Sequence, residues 1–184
     1  MSKLNPHIRP ATAADHDALW AIIEPTVRAG DTYVYAPDLR REDMLAIWLA
    51  EAKRTYVAEL DGQVVGTFFI CANQPGLGNH VANAGYIVHP NYRGRGLAKA
   101  MCLFSLNEAH LLGYLAMQFN AVVSTNTVAV QLWERCGFTK IGTVLKAFRH
   151  SELGLVDTFI MYRELGMMHH KCLDRIIQPQ VGRV

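Results

Sequence analysis

The stretch from residue 81 to residue 113 constrains the fold more than any other part of the sequence. Val81 to Val88 reads as a buried strand, and apolar side chains recur at helical spacing from Arg95 until Gly113, a typical helix-ending residue. The turn between them, Arg93-Gly94-Arg95-Gly96, is rich in glycine, which lets the backbone approach a ligand closely. Because the first N–H groups of a helix are unpaired and the helix dipole is positive there, we predict a site for an anion such as pyrophosphate. The turn is neither a P-loop nor a G-x-G-x-x-G fingerprint.

The elements on both sides of this unit predict a mixed α/β domain. The hairpin signal Asp61-Gly62 separates predicted strands at 55–60 and 63–71. The other predicted elements are a strand at 8–11, a helix that starts at the capping box Thr12–Asp15 and ends or bends at Pro25, a loop at 26–40, a helix at 41–51, a strand at 115–123, a helix closed by Gly137, and strands at 138–145 and 156–163. This order predicts an α/β fold with a mixed central β-sheet flanked by helices, with one domain at 1–165 and a C-terminal tail at 166–184.

Composition excludes several classes of protein. The 184 residues suffice for one domain, and 18 Lys and Arg against 16 Asp and Glu give no support to nucleic-acid binding through bulk positive charge. No apolar run reaches the roughly 18 residues that span a membrane, and residues 1–7 lack an apolar signal segment. We therefore expect a cytoplasmic protein without nucleic-acid or membrane partners.

The cysteines and histidines of the sequence do not form a pattern that predicts a metal site. The four cysteines are scattered and form no C-x-x-C pair, so we expect buried thiols in a reducing compartment. His169 and His170 are adjacent and have no second ligand pair nearby, so we expect a solvated tail and no metal. Arg149-His150 is interpreted as a solvated turn.

Several motifs together resemble the GNAT family of N-acetyltransferases. Arg93-x-x-Gly96-x-Ala98 is similar to the [RQ]-x-x-G-x-[GA] signature of that family, and a strand ending in Tyr86-Ile87-Val88-His89-Pro90 precedes it. A second strand ends at Val123 and is followed by Asn126, and the run from Leu132 to Phe138 resembles the family's L-Y-x-x-x-G-F. The resemblance extends over about residues 7–163.

The resemblance implies an acetyl-CoA site between two splayed parallel strands, here 81–88 and 115–123. The pyrophosphate would bind the turn from Arg93 to Ala98, and the pantetheine arm would pair with the backbone of Ile87 to His89 and with Asn126. Trp133 would pack along the CoA arm or belong to the core. The implied cofactor-binding residues are Ile87, Val88, His89, Arg93, Gly94, Arg95, Gly96, Leu97, Ala98, Asn126 and Trp133.

Two departures from the family pattern leave the catalytic residues unassigned. Many members have a tyrosine at the position of Trp133 that protonates the leaving thiolate, and an indole cannot do this. Relatives of the phosphinothricin acetyltransferase type carry a glutamate base where this sequence has Asn83. We therefore predict that the enzyme works by positioning a neutral amine for direct attack, with a water chain to His89, Glu59 or Asp31 as the open route for the proton.

The acceptor is predicted to be a small amine or amino acid. The amino-acid sequence of residues 73–85 and 117–126 resembles that of fungal acetyltransferases that detoxify azetidine-2-carboxylate and other proline analogues. This resemblance implies that Asn83 and Asn120 bind the acceptor; the alternative is that both amides satisfy strand-edge backbone groups. Tyr33, Tyr35 and Trp48 are either walls of the substrate mouth or ordinary core.

Two other functions stay open at this point. One is acetylation of a protein N-terminus or lysine, which would need an open groove for a peptide. The other is a non-catalytic module that binds acetyl-CoA. The sequence also leaves open a homodimer.

Overall fold

The computed structural model describes residues 5–166, which form one seven-stranded sheet with four α-helices. In chain order the elements are β1 (His7–Pro10), α1 (His16–Ala29), α2 (Arg41–Trp48), β2 (Arg54–Leu60), β3 (Gln63–Ala72), β4 (Val81–Val88), α3 (Leu97–Leu111), β5 (Ala116–Val123), α4 (Thr127–Arg135), β6 (Thr139–His150) and β7 (Gly154–Glu164). The sheet order is β1-β2-β3-β4-β5-β7-β6, and only β4 and β5 pair in parallel within the described part of the chain. The predicted mixed α/β fold is confirmed.

The parallel pair separates soon after it begins. Val81 pairs with Ala116 and Ala82 with Met117, and the register between the two strands ends there. On its other edge β4 stays paired with β3 along its whole length, from Ala82 to Val88. A bulge between Phe119 and Val122 interrupts the pairing of β5 with β7 at the same level. The result is the predicted splay between residues 83–88 and 118–123.

Hydrophobic cores cover both faces of the sheet. Helices α1 and α2 bury Leu19, Ile22 and Trp48 against one face, and these side chains are fully buried. Helices α3 and α4 bury Met101 and Trp133 against the opposite face. Both helical layers therefore fix the position of β4, whose successive side chains point alternately into the two cores.

The first helix begins as expected but ends later. Both the N–H and the hydroxyl of Thr12 donate to Asp15 Oδ2, at 2.7 and 2.9 Å, which forms the predicted capping interaction. The bidentate Arg9 guanidinium, 2.8 Å from each carboxylate oxygen, holds the pKa of Asp15 well below its usual range. Of the two outcomes predicted at Pro25, an end or a bend of the helix, the end was wrong, because α1 continues to Ala29. Burial of Thr26 and Val27, and the left-handed Gly30 that caps the helix, offset the cost of the missing N–H.

The last two strands are longer than predicted. The prediction ended the first of them at residue 145, but β6 resumes pairing at Phe148 after a bulge in which Lys146 has φ 52° and its N–H donates to Asp157 Oδ1 at 2.8 Å. His150 therefore lies at the end of β6, and the expected solvated turn at Arg149-His150 was wrong. Likewise α2 ends at Trp48 rather than 51, and α3 begins at Leu97 rather than near Arg95, since Gly94 and Gly96 both have positive φ.

Three described cysteines, Cys71, Cys102 and Cys136, are free thiols, and the last two are buried. Cys172, the paired histidines and the rest of the predicted tail beyond residue 166 lie outside the described residues. Within residues 5–166, no helix has the length and hydropathy that crossing a membrane requires. No group of three His, Cys, Asp or Glu side chains that could hold a metal ion occurs in the same range.

Candidate active site

The splay between β4 and β5 opens into a cleft of about 1070 Å³. Its walls come from the α1–α2 segment, both splayed strands, the turn before α3, helix α4 and the tip of β6. The sequence-predicted residues in its lining are Asn83, Ile87, Val88, Arg93, Gly94, Gly96, Leu97, Ala98, Asn120, Asn126 and Trp133. His89 and Arg95 are absent from the lining. A smaller hollow of about 500 Å³ lies on the outer surface of α1 and α2, away from the open strand edge.

The open edge of β4 presents main-chain groups to this cleft. The His89 N–H donates to Val65 O at 2.9 Å, and Val81 O accepts from the N–H of Asn73 at 2.8 Å, so the odd-numbered residues of β4 bond to β3. In an antiparallel ladder the intervening residues point the other way. The N–H and C=O groups of residues 84, 86 and 88 therefore face the gap that β5 has left. Of the three residues predicted to pair with the pantetheine arm, Val88 presents its main-chain groups to this gap, whereas Ile87 and His89 turn theirs toward β3. An extended amide chain fits beside such an edge, because it can pair with these groups as a strand would.

The turn before α3 has the geometry of an anion site. Gly94 and Gly96 adopt φ of 74° and 84°, and a Cβ at either position would meet no atom within 4 Å. Gly96 is the N-cap of α3 and supplies no side-chain cap, so the N–H groups of Leu97, Ala98 and Lys99 have no helical or side-chain acceptor. These donors, with the positive end of a fifteen-residue helix, suit a phosphate group.

The two predicted residues outside the cleft have structural partners. The Nδ1 atom of His89 accepts from the N–H of Asn91 at 3.2 Å, and its ring lies edge-on to Tyr92. The Arg95 guanidinium lies over the Tyr92 ring, 5.0 Å from its centroid. Arg93 lines the cleft and donates to the Thr26 hydroxyl at 3.2 Å, which joins the turn to α1.

Asn126 is oriented by its position as the N-cap of α4. Its Oδ1 accepts from the Ala129 N–H at 3.1 Å, so its amide nitrogen is directed away from the helix. That Nδ2 lies 3.5 Å from the Thr32 hydroxyl across the mouth of the splay. Asn126 thus offers a donor to the cleft while its acceptor stabilises the helix.

Trp133 belongs to a cluster of aromatic rings. It is 9% exposed, and its ring centroid lies 5.0 Å from those of both Tyr86 and Phe119. The Tyr86 hydroxyl is directed into the core, where it lies 2.6 Å from Ser105 Oγ, and burial raises its pKa well above the usual value. Tyr86 therefore does not replace the acidic hydroxyl that Trp133 lacks.

The two asparagines predicted to bind the acceptor lie near the start of the splay, in different surroundings. Asn83 is half-buried on β4 opposite Cys71. Asn120 is exposed on β5 at the bulge, where its Nδ2 donates to Asn73 Oδ1 at 2.7 Å and its Oδ1 accepts from Gln118 at 2.8 Å. The amide of Asn120 thus already has partners, whereas that of Asn83 faces the cleft.

The segment Asp31–Tyr35 closes one face of the splay. The Tyr33 hydroxyl donates to the carbonyl oxygen of Tyr86 at 3.0 Å, on the open edge of β4. The Tyr35 ring stacks on that of Tyr33, with centroids 5.6 Å apart. Both rings line the cleft, while Trp48 is fully buried behind them. Of the three aromatic residues that the sequence left undecided, two form a wall and one is core.

The structure separates the three candidate proton acceptors. Glu59 lies on β2 and bonds to His7 and Arg9, at the far side of the sheet from the splay. His89 is outside the cleft lining. Asp31 lines the cleft, and its Oδ1 accepts from the Thr32 hydroxyl at 2.8 Å.

His150 is a cleft residue that the sequence did not reveal. Its Nδ1 accepts from the N–H groups of Glu152 and Leu153, at 3.1 and 3.3 Å, which leaves the proton of the neutral ring on Nε2. The next residue, Ser151, donates through its N–H to Gly30 O at 3.0 Å and through its hydroxyl to Ala29 O at 2.8 Å. No local motif could have identified His150, because its approach to the cleft depends on this long-range contact.

Comparisons with known proteins agree with this geometry. The family model described as Acetyltransferase (GNAT) family matches residues 18–138. The structure of a GCN5-related N-acetyltransferase from Kribbella flavida is 41% identical, with a TM-score of 0.82, and the match covers 87% of this chain and 98% of that one. A phosphinothricin acetyltransferase from Sinorhizobium meliloti, solved in complex with acetyl-CoA, shares the fold at 20% identity and a TM-score of 0.79, over 97% of this chain and 95% of that one.

A curated relative, the N-acetyltransferase aca1 of Schizosaccharomyces pombe, is 35% identical over 98 residues, which are 53% of this chain. The match spans about half of that relative, 47% of its length. The match of the family model to most of the described chain, together with the splayed strands and the glycine turn, shows that the protein belongs to the GNAT family of acetyltransferases.

Proposed function

We propose that this protein transfers the acetyl group of acetyl-CoA to the amine of a small molecule or amino acid, by direct attack within a ternary complex. More specifically, we propose a proline analogue as the acceptor. The observation that carries it is the open edge of β4, which runs from the start of the splay directly into the glycine turn and the uncapped start of α3. A ligand that combines an extended amide arm with a pyrophosphate fits this arrangement, with the arm along β4 and the pyrophosphate at the glycine turn.

The turn before α3 offers groups that would suit the phosphates of acetyl-CoA. The positive φ of Gly94 and Gly96 and the free space where a Cβ would be leave the N–H groups accessible to phosphate oxygens. The N–H groups of residues 84, 86 and 88 and the Nδ2 of Asn126 would donate to the arm. The bound thioester supplies an activated acetyl group, which the protein must hold beside an amine.

Positioning and electrostatic stabilisation by the main chain would provide most of the rate. Trp133 has no acidic hydroxyl, and Asn83 cannot act as a base at neutral pH. The N–H groups along the open edge are fixed by the ladder with β3, so they can stabilise a developing oxyanion without reorganisation. When the protein holds the amine in line with the carbonyl, binding has already covered the entropy cost of bringing the two reactants together, so the barrier of the chemical step is lower.

The covered mouth of the cleft favours a small acceptor over a peptide. Thr32 reaches Asn126 on one side of the splay, and Tyr33 bonds to the backbone of Tyr86 on the other. A polypeptide chain would have to displace this segment, whereas a small amine would not. Cytoplasmic location and the domain boundary at residue 165 stay predictions from the sequence, and the choice between monomer and homodimer stays open.

The test is release of free CoA from acetyl-CoA by the full chain with a panel of amino acids, proline analogues and simple amines, with products identified by mass spectrometry. We expect turnover with one or more small amines and none with unrelated peptides. Binding of acetyl-CoA without turnover on any amine would support the non-catalytic module instead. Preferential acetylation of peptide N-termini or lysines would contradict the small-acceptor proposal.

A further inference from the structure

We infer that Asp31, together with the rings of Tyr33 and Tyr35, binds the positive charge of the acceptor amine. This inference rests on the proposed function, since it assigns the part of the cleft that would receive the second substrate. It names the chemical class of that substrate as an amine that enters the cleft protonated, including amines with bulky or cyclic carbon groups around the nitrogen. The nitrogen attacks the thioester after it has passed one proton to Asp31 or to a water molecule.

The charge distribution of the cleft supports this assignment. Among the described residues that line it, Asp31 carries the one carboxylate, whereas Arg93, Lys99 and Arg135 supply positive charge. Lys99 lies in the first turn of α3, and Arg135 ends α4, so both belong to helices on the opposite side of the sheet from the α1–α2 segment. Arg93 bonds to Thr26 of α1, so it reaches the Asp31 side of the cleft and partly offsets that carboxylate. An ammonium group is still attracted to Asp31, the one carboxylate of the described lining, and repelled by Lys99 and Arg135.

The position of Asp31 is fixed by several contacts. The Thr32 hydroxyl donates to its Oδ1 at 2.8 Å, which orients the carboxylate. Gly30, the preceding residue, is held by the Ser151 N–H at 3.0 Å, and a Cβ on Gly30 would lie only 3.3 Å from the Ser151 Cβ. The segment is thus clasped between the β6–β7 turn and the edge of β4. A carboxylate that is held in place loses less conformational entropy when it binds a cation.

Two aromatic rings of the same segment, which line the same cleft as Asp31, add a second attraction for cations. Tyr33 and Tyr35 line the same cleft, with their ring planes 9° from parallel. Burial raises the pKa of both phenols, so both stay protonated, and it is the negative π faces of the neutral rings that attract ammonium groups. A carboxylate and aromatic faces in one cleft bind a cation whose charge is surrounded by carbon groups. A neutral ligand of the same shape lacks the charge, so it should bind more weakly.

The experiment compares choline with 3,3-dimethylbutan-1-ol, which has the same shape but a carbon in place of the charged nitrogen. Binding of each to the full chain saturated with CoA is measured by calorimetry, so no turnover is needed. Wild-type protein should bind choline at least about tenfold more tightly than the neutral alcohol, as expected for a charge-assisted contact with cation–π support. Asp31→Asn, which keeps an acceptor for Thr32, should remove most of that preference.

Two further variants make the result specific. Tyr35→Leu keeps an apolar wall and should reduce the preference for choline by several-fold, as removal of one cation–π face predicts. Asp38→Asn removes an exposed carboxylate from the same α1–α2 segment, outside the cleft lining, and should change neither affinity. Circular dichroism confirms that each variant is folded.

Equal affinity of wild-type protein for the two compounds would overturn the inference, as would an unchanged preference in Asp31→Asn. Loss of both affinities in that variant would mean that Asp31 only maintains the segment. Failure of the proposed function has a different signature, because choline selectivity would then persist while no amine of the panel released CoA.

Discussion

Substitution of Gly85 by alanine tests whether the acceptor side of the cleft is packed as closely as the structure indicates. A Cβ at this position would lie 2.7 Å from Phe69 Cε1, 3.0 Å from Phe69 Cζ and 3.1 Å from the Tyr33 hydroxyl. Phe69 is only 6% exposed and has Trp48 edge-on at 4.9 Å, so it has little room to withdraw. The methyl group must therefore strain the core at Phe69 and also displace the Tyr33 hydroxyl from Tyr86.

The magnitude follows from these two effects. An extra methyl group forced into a well-packed core costs about 1–3 kcal/mol, and loss of the bond from Tyr33 costs about 1 kcal/mol. Replacing a strand glycine returns about 0.5–1 kcal/mol through the unfolded chain. We expect a net loss of about 2 kcal/mol, which lowers Tm by about 4–8 °C for a chain of this size.

Gly142→Ala is the matched control, because this glycine also lies in a strand and its Cβ would meet Ile160 at an ordinary 3.7 Å. Thermal and urea unfolding of both variants measure the difference. With an active enzyme, Gly85→Ala should raise KM for the amine more than it weakens acetyl-CoA binding. The reasoning is refuted if Gly85→Ala is as stable as the control and binds amine normally.

Four further outcomes are expected. Gly96→Ala should weaken acetyl-CoA binding, since a residue with a Cβ pays about 1–2 kcal/mol at φ 84°; unchanged affinity by calorimetry would remove the anion site from this turn. Trp133→Phe should leave the shape of the pH–rate profile unchanged, and loss of a basic-limb ionisation would show that the indole position takes part in proton transfer. Asn83→Ala should lower kcat/KM for the amine by roughly tenfold through loss of a half-buried hydrogen bond, and Asn120→Ala by less, because that amide is exposed and already bonds to Asn73 and Gln118; acetyl-CoA affinity should be preserved in both, and the reverse pattern would make both residues structural. Asp15→Asn should reduce stability at neutral pH but not in strong acid, because a carboxylate whose pKa is lowered stabilises the fold above its unfolded pKa and stops doing so as pH falls through its folded pKa; equal destabilisation at all pH values in urea titrations would contradict this account.

The sequence predicted the parts of the fold that local rules determine. The hairpin at Asp61-Gly62, the strand at 81–88 and the glycine turn follow from turn chemistry and periodicity, and the structure has them at those positions. The errors arose where tertiary contacts override local preference. Pro25 stays inside α1 because Val27 is buried, and β6 continues past residue 145 because Asp157 accepts the Lys146 N–H in the bulge.

The candidate site was predictable to the extent that it depends on the backbone. Glycine positions and strand ends locate the turn and the splay, and these are visible in the sequence. The direction of a side chain is not, so Tyr33 and Tyr35 could not be separated from Trp48. His150 and Ser151 meet the end of α1 from more than a hundred residues away, and only the completed sheet brings them there.

The alternation of hydrogen bonds along β4 has a consequence for how this chain can change over generations. Because residues 84, 86 and 88 serve the cleft through N–H and C=O groups, substitutions that keep the core packing of their side chains leave the hydrogen-bonding groups of this edge unchanged. Insertion or deletion of a single residue within β4 is a different matter, since it would turn every one of these groups toward β3 and expose the wrong set. Such a strand tolerates substitutions of its residues but not the insertion or deletion of one.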